Sequence, residues 1–260
     1  MLKFNYPFHL VTVSPWPLLV SLGVMLSMLG ILEWFIEFSV SLMFMSNMYL
    51  MIVVFQWWRD VVRESTFQGM HTIKVCEGLY MGMILFILSE LMFFVSFFWT
   101  YFNMYLSLSI ELGLNSSYNL EVFNPYNIPL LNTMILLSSG VSITWCHYSI
   151  LNEKYDMSLD GIKITILLGM IFSFFQFLEY KESYFSINDS IYGSIFFVAT
   201  GFHGIHVLVG TMFIFINFIR LKNNHFSFVH HFGFEAASWY WHFVDIVWLF
   251  LYIFIYWLSY

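Results

Sequence analysis

Charged residues are scarce in this 260-residue chain. Asp, Glu, Lys and Arg together make up 10% of it, against about 25% in a typical soluble domain. Hydrophobic residues make up 60% and aromatic residues 22%. That is more than one soluble core can bury, but it suits a protein whose outside is covered by lipid tails. The sequence therefore predicts a protein whose main solvent is the bilayer.

Cysteine and basic charge are also scarce. With Cys76 and Cys146 alone, and without a CxxC or CxxCH motif, neither a disulfide framework, a thiolate metal site nor covalent haem attachment is indicated. Nine Lys and Arg stand against 16 Asp and Glu, a net charge of −7. Nucleic acid is therefore not an expected partner, because its phosphates require a basic face. The first residues resemble no basic, amphipathic presequence, and we expect targeting to reside in the apolar segments.

Long apolar runs take the place of the missing charge. Runs of about 20 residues predict transmembrane helices rather than the short alternating strands of a barrel. We therefore expect an all-α membrane protein with an N-terminal segment (1–14), a two-helix hairpin (15–58), a polar connection (59–77) and five further spans (78–260). The seven spans are expected near 15–35, 40–58, 78–105, 129–151, 159–178, 190–219 and 232–258, with a loop of turn formers at 107–128.

The basic residues are distributed unevenly between the two sides of the expected membrane. Only Lys181 lies opposite the N-terminus. Because cytoplasm-like faces collect Lys and Arg, the N-terminus is expected on such a face, and an odd number of spans places the C-terminus opposite. The eight bases on the N-terminal side are Lys3, Arg59, Arg63, Lys74, Lys154, Lys163, Arg220 and Lys222.

Small residues mark places where helices can approach closely. Such patterns are frequent in any membrane helix, so close contact and chance both stay open. No internal repeat and no matching pair of Pro-broken spans is present, which counts against a transporter. The small residues are Gly23 and Gly30 in the first span, Gly78 and Gly82 in the third, and Ala199, Gly201 and Gly204 in the sixth.

Glu90 is an acid in the middle of an apolar span. An ionised carboxylate there costs about 2.5 to 3.5 kcal/mol even on the lenient insertion scale, so we expect it to be protonated or to face a partner. One hypothesis is a proton relay. The other, which we favour because no second acid lies one turn away, is a neutral carboxylic acid that links two helices through a hydrogen bond.

Histidines and acids also cluster on the last two spans. His203 and His206 share one helical face, while Glu235, His242 and Asp245 share another. A metal cluster and haem ligation by two histidines are conceivable. The ExxH pairs of di-metal bundles are missing, and we favour a polar network between helices that binds no metal.

Aromatic and charged residues are concentrated where the second span leaves the membrane, and again after the sixth. This pattern suits either ordered phospholipid headgroups or an ordinary belt of snorkelling side chains. The sequence contains no nucleophilic triad signature and no Gly-rich phosphate loop, so independent catalysis is not expected. The residues are Trp57, Trp58, Arg59, Arg63, Glu64 and His71, then Arg220, Lys222, His225, His230 and His231.

Several long segments are recognisable. Residues 230–252 read HHFGFEAASWYWHFVDIVWLFLY, and residues 193–206 read GSIFFVATGFHGIH. With PLLNT at 129–133, SSGVSITW at 138–145 and RDVVRESTFQG at 59–69, the chain resembles the subunit III family of cytochrome c oxidases over essentially its whole length. The bias to Phe, Ile, Met, Asn and Tyr favours a mitochondrial member.

The resemblance implies a fold and a function. In this family a V-shaped cleft that holds phospholipids separates the first two helices from the other five. The family member is a non-catalytic core subunit of respiratory complex IV, which passes electrons from cytochrome c to O2 and pumps protons. It binds no haem or copper itself, because haem a, haem a3 and copper lie in partner subunits. It packs on subunit I, beside subunit II and accessory subunits, and supports proton uptake and the stability of the catalytic centre.

The resemblance also implies a location and residue roles. We expect the mitochondrial inner membrane, with the N-terminus in the matrix and the C-terminus in the intermembrane space. Glu90 resembles the family's carbodiimide-reactive carboxyl. Met70 stands where the family commonly has a second His before His71, which puts any role of such a pair in doubt. The expected ligands of cleft lipids are Trp58, Arg63, Glu64, His71 and Arg220.

Two rival classes can be tested against this expectation. An autonomous proton or ion transporter would use Glu90, His203, His206 and Asp245 as its path. A self-sufficient membrane metalloenzyme would bind a metal at the histidine cluster.

Overall fold

The computed structural model describes residues 7–106 and 121–260, and in these ranges the chain forms helices and their connections. Seven helices there are long and apolar enough to cross a membrane, the last one together with a π-helical end at Tyr252–Trp257. The predicted all-α membrane class is therefore confirmed. The helices are α1 (Trp16–Glu37), α2 (Ser41–Thr66), α3 (Ile73–Leu106), α4 (Ile128–Leu151), α5 (Tyr155–Lys181), α6 (Ile191–Lys222) and α7 (Phe232–Leu251).

Several helices extend beyond the apolar runs that predicted them. Helix α2 continues through Thr66 and α3 begins at Ile73, so most of the expected polar connection at 59–77 is helical. Charged residues such as Arg and Glu are good helix formers, so a helix continues past the point where its sequence stops being apolar. Lys3 and residues 107–120 of the expected loop lie outside the described residues.

The chain divides into two compact units, one up to Leu79 and one from Tyr80 onward. In the first unit, α1 and α2 form the predicted hairpin. A Cβ at Gly23 would lie 3.2 Å from the Tyr49 ring, and one at Gly30 would lie 2.6 Å from the backbone of Met43. Phe38 ends α1 in the left-handed conformation, at φ 56°. Close contact at Gly23 and Gly30 is therefore confirmed, because only glycine leaves room for such an approach.

The core of the second unit is organised around Trp241 of α7, which is fully buried. Its indole N–H donates to Ser139 Oγ on α4 over 2.8 Å. Its ring lies against Gly169 on α5 and Gly210 on α6, where an added Cβ would come within 2.9 Å of ring atoms. The Trp241 side chain thus contacts three other helices and fixes their positions relative to one another along the helix axes.

The remaining small residues behave differently. Within residues 7–106 and 121–260, no side-chain or distant backbone atom lies within 4 Å of a Cβ built at Gly78, Gly82 or Gly204. A Cβ built at Gly201 would make an ordinary contact with the Tyr180 hydroxyl, at 3.8 Å, and Ala199 is buried in the core. For Gly78, Gly82 and Gly204, the pattern in the sequence does not mark a close helix contact among the described residues.

Replacing Gly210 should destabilise the second unit. In Gly210→Leu the new side chain would collide with the Trp241 ring, which its bond to Ser139 and its contact with Gly169 hold in place. Overpacking of this kind costs about 1–3 kcal/mol. We expect a lower midpoint of thermal unfolding for the chain in lipid nanodiscs. Gly204→Leu on the same helix is the control and should leave the midpoint nearly unchanged, and equal midpoints for both variants would contradict the packing role of Gly210.

Candidate functional site

The second unit pairs the intramembrane acid with a histidine. Glu90 on α3 and His206 on α6 approach to 3.0 Å between Oε2 and Nε2. The other ring nitrogen of His206, Nδ1, lies 2.7 Å from the carbonyl oxygen of Phe202. Since a carbonyl only accepts hydrogen bonds, Nδ1 must carry the proton of the neutral ring.

The hydrogen bond from His206 Nδ1 to the Phe202 carbonyl determines where the protons of the Glu90–His206 pair can lie. With the ring proton on Nδ1, Nε2 presents a lone pair to Glu90, so a proton must lie between the two groups. Either Glu90 is a neutral acid that donates to His206, or the proton has moved and the two form an ion pair. The surroundings are apolar, with the Phe94 ring 5.1 Å from that of His206. Such surroundings favour the neutral form, because two desolvated charges recover little of their lost hydration.

The other predicted polar residues also connect helices, but they do not all meet. His203 on α6 is buried and its Nε2–H donates to the Val244 carbonyl of α7 over 3.2 Å. Asp245 and His242 on α7 face Gly140 of α4, where a Cβ would lie 2.9 Å from Asp245 Oδ2 and 3.7 Å from His242 Nδ1. These contacts link α7 to two neighbours at the middle of the bundle.

Glu235, the fifth residue of the predicted network, pairs with a different set of groups. Its Oε1 lies 2.9 Å from Nε2 of His231 and 3.6 Å from Nε2 of His147. His147 is on α4, and sequence reasoning missed it. The spacing of His231 and Glu235, four residues apart, indicates one shared helical face. Nothing in the sequence indicates that α4 brings an imidazole to that face.

Sequence reasoning also missed a buried acid, Glu179, near the C-terminal end of α5. Glu179 is almost fully buried and accepts a 2.6 Å hydrogen bond from the Tyr256 hydroxyl. It lies just beyond the predicted end of the fifth span, near residue 178, so the sequence contains no signal for its burial. In the structure α5 continues to Lys181, and the π-helical end of the chain brings Tyr256 against it.

Four of the expected lipid ligands lie in the first unit. Asp60 accepts hydrogen bonds from the Trp16 indole at 2.8 Å and from Arg59 at 3.1 Å. Arg63 is 3.6 Å from the same carboxylate, and 55% of its side chain is exposed. Asp60 is thus engaged mainly by Trp16 and Arg59. The other expected ligands there are Trp58, which is 60% exposed, Glu64, which lies 3.7 Å from His9, and the half-buried His71.

Arg220, the fifth expected lipid ligand, lies at the end of α6 in the second unit. Its guanidinium carbon lies 4.6 Å from the centre of the Phe226 ring. Burial lowers the pKa of His225 and His230, and the charge of Arg220 lowers both further. These two imidazoles are therefore neutral at neutral pH, and Arg220 supplies the positive charge among them. Gly233 leaves room for the guanidinium, because a Cβ there would collide with Nη1.

Comparisons with known proteins agree on one family. The family model described as "Cytochrome c oxidase subunit III" matches residues 6–260. The chain is 55% identical to "Cytochrome c oxidase subunit 3" of Aedes aegypti and 56% identical to that of Drosophila melanogaster, in each case over 97% of both chains. The Artemia franciscana protein of the same name is 53% identical over 99% of both chains.

The chain belongs to the cytochrome c oxidase subunit III family. It is thus a membrane-spanning subunit of the mitochondrial oxidase, and the predicted family and the predicted membership of the oxidase are confirmed. The family is consistent with a subunit that has no catalytic residues of its own. The roles of individual residues stay predictions.

If the Glu90–His206 pair is neutral, the Glu90 carboxyl should be visible as a protonated acid. We expect the infrared difference spectrum between this subunit and its Glu90→Gln variant, measured in nanodiscs at neutral pH, to contain the carbonyl stretch of a carboxylic acid that shifts in D2O. The exposed acid Glu153 provides the control, since Glu153→Gln should remove only carboxylate bands. Loss of carboxylate bands alone in Glu90→Gln would instead indicate an ion pair.

Proposed function

We propose that this subunit is the non-catalytic, lipid-binding core subunit of the oxidase in the mitochondrial inner membrane. It packs on subunit I, near subunit II and accessory subunits, and supports proton uptake and the stability of the catalytic centre, while haem a, haem a3 and copper are held by the partner subunits. The observation that carries the lipid-binding role is that two arginines at helix ends keep charge that the nearby acids do not neutralise.

Arg63 supports lipid binding in the first unit. The strongest interactions of Asp60 are with Trp16 and Arg59, and Arg63 is left with a 3.6 Å approach and a largely exposed side chain. A guanidinium can bind a phosphate through two parallel hydrogen bonds. Trp58, exposed on the same helix, suits the level of lipid headgroups.

Arg220 supports lipid binding in the second unit. Its guanidinium lies over the Phe226 ring, and its neighbours His225 and His230 are neutral. Its Nε is buried and makes no hydrogen bond within the described ranges. A lipid phosphate would supply both the missing acceptor and the missing negative charge.

Replacing both arginines should reduce the phospholipid retained by the purified oxidase. We expect the Arg63→Gln, Arg220→Gln double variant to lose bound phospholipid relative to the parent, as measured by mass spectrometry of extracted lipid per haem. Lys163→Gln is a suitable control, because Lys163 already pairs with Asp160 at 3.0 Å. Unchanged lipid in the double variant would overturn the assignment of these residues.

The Glu90–His206 pair supports a contribution to proton uptake. It holds one proton between two helices in an otherwise apolar span, and either group can carry that proton. An autonomous transporter would need a continuous path across the membrane in addition to this pair. If the chain were such a transporter, purified chain in liposomes should show proton or ion flux, and we expect none.

Unequal burial supports packing on other subunits. In the most apolar stretch of α3 only 11% of residues are buried within this chain, whereas in that of α7 56% are. Such an apolar surface must be covered by lipid or by neighbouring subunits.

The crowding of basic residues in the connections on one side supports an N-terminus in the matrix and a C-terminus in the intermembrane space.

Membership of the assembled oxidase can be tested directly. Purification in mild detergent with an antibody against this chain should yield an assembly that contains the haem-copper catalytic subunit. The isolated chain alone should show no haem or copper absorption bands. Purification of this chain without a haem-copper subunit would refute the proposal, and absorption bands in the isolated chain would favour the metalloenzyme class.

A further inference from the structure

Three metal-ligating side chains converge in the second unit at the end where α4 finishes and α7 begins. His147 lies about one turn before the end of α4, His231 directly precedes α7, and Glu235 lies in its first turn. One nitrogen from each imidazole and one carboxylate oxygen all lie within 4.8 Å of one another. Two helices distant in sequence therefore bring three donor atoms to one point.

With both imidazoles neutral, the three groups carry too few protons to satisfy one another. Nδ1 of His231 lies 3.0 Å from the Ser227 carbonyl and must donate to it, so Nε2 of the neutral ring presents a lone pair. That lone pair faces Glu235 Oε1 at 2.9 Å and His147 Nε2 at 3.3 Å. A proton on His147 Nε2 could satisfy only one of these approaches. A cation at the centre would satisfy all three donor atoms at once.

The distances match a particular kind of cation. Zn²⁺ with bonds of about 2.0–2.1 Å in a tetrahedral shell places its ligand atoms about 3.4 Å apart. The three separations here are 2.9, 3.3 and 3.6 Å. A ring N–H that donates to a backbone carbonyl, as in His231, is the usual way in which a metal-ligating histidine is oriented.

The donor set distinguishes among metals. Two imidazole nitrogens and one carboxylate oxygen suit Zn²⁺, whereas Ca²⁺ and Mg²⁺ prefer shells made of oxygen. Three protein ligands leave a fourth position for water or another ligand. The side chain of His147 is 36% exposed, so an ion can reach the site from outside the bundle.

We propose that His147, His231 and Glu235 form a Zn²⁺-binding site that joins the end of α4 to the start of α7. This site shares no residue with the Glu90–His206 pair or with the proposed lipid ligands, and Arg220 lies beside it, against Gly233. The competing arrangement is a protonated His231 that forms a metal-free ion pair with Glu235.

Zinc titration of the full chain in nanodiscs tests the proposal. After removal of metal with a chelator, the parent chain should take up one equivalent of Zn²⁺ in competition with a fluorescent zinc indicator. Glu235→Gln and His147→Gln should each weaken this binding at least about tenfold, a loss that even supporting partners of metal ligands can cause. Excess Ca²⁺ or Mg²⁺ should not displace the zinc.

His9→Gln is the matched control. It removes another imidazole that faces a carboxylate, Glu64 at 3.7 Å, without touching the three proposed ligands, and it should bind zinc like the parent. Equal zinc affinity in the parent and both ligand variants would overturn the proposal. If a ligand variant fails to fold, zinc X-ray absorption of the parent chain decides: two imidazole ligands are expected, and a shell made only of oxygen would overturn the site.

Discussion

The packing of four helices, α4 to α7, depends on the position of one tryptophan, Trp241. Helices in lipid gain little from hydrophobic burial against each other, so close packing and a few polar contacts decide how they associate. Trp241 requires a glycine on α5, a glycine on α6 and a hydroxyl on α4, all at the same height. Because helices are rigid, this contact also fixes the heights of residues further along them, including Asp245 beside Gly140 and His203 beside Val244.

A second constraint recurs at two candidate sites. In His206 and in His231, Nδ1 donates to a backbone carbonyl four residues earlier, which fixes the tautomer and points the lone pair of Nε2 at an acid. The two sites differ in the groups that face Nε2 of the histidine. His206 faces Glu90 alone, so one shared proton completes that pair. His231 faces a carboxylate and a second imidazole, and one proton cannot complete three lone pairs.

The sequence predicts most of the fold because the relevant signals are local. Length and apolarity identify all seven spans, and five motifs identify the family. Helix ends are predicted less well, since residues such as Arg63 and Glu64 leave the apolar run but continue the helix. For the polar pairs, the sequence predicts which residues of one helix share a face, but it does not predict their partner on another helix. Spacing along one helix shows that His231 and Glu235 share a face, but which neighbour supplies His147 is decided by packing between helices that are distant in sequence.

The distribution of burial suggests why a subunit without a redox centre of its own has such a polar interior. Helix α7 is the most enclosed and contributes Trp241, Asp245 and the carbonyl bound by His203, whereas α3 contributes chiefly Glu90 and leaves its apolar surface exposed. Each buried polar contact is costly to break in hydrocarbon, so it selects one arrangement of helices over near alternatives. A bundle fixed in this way presents a constant outer surface. Lipids and neighbouring subunits need that constancy if they are to bind repeatedly at the same places.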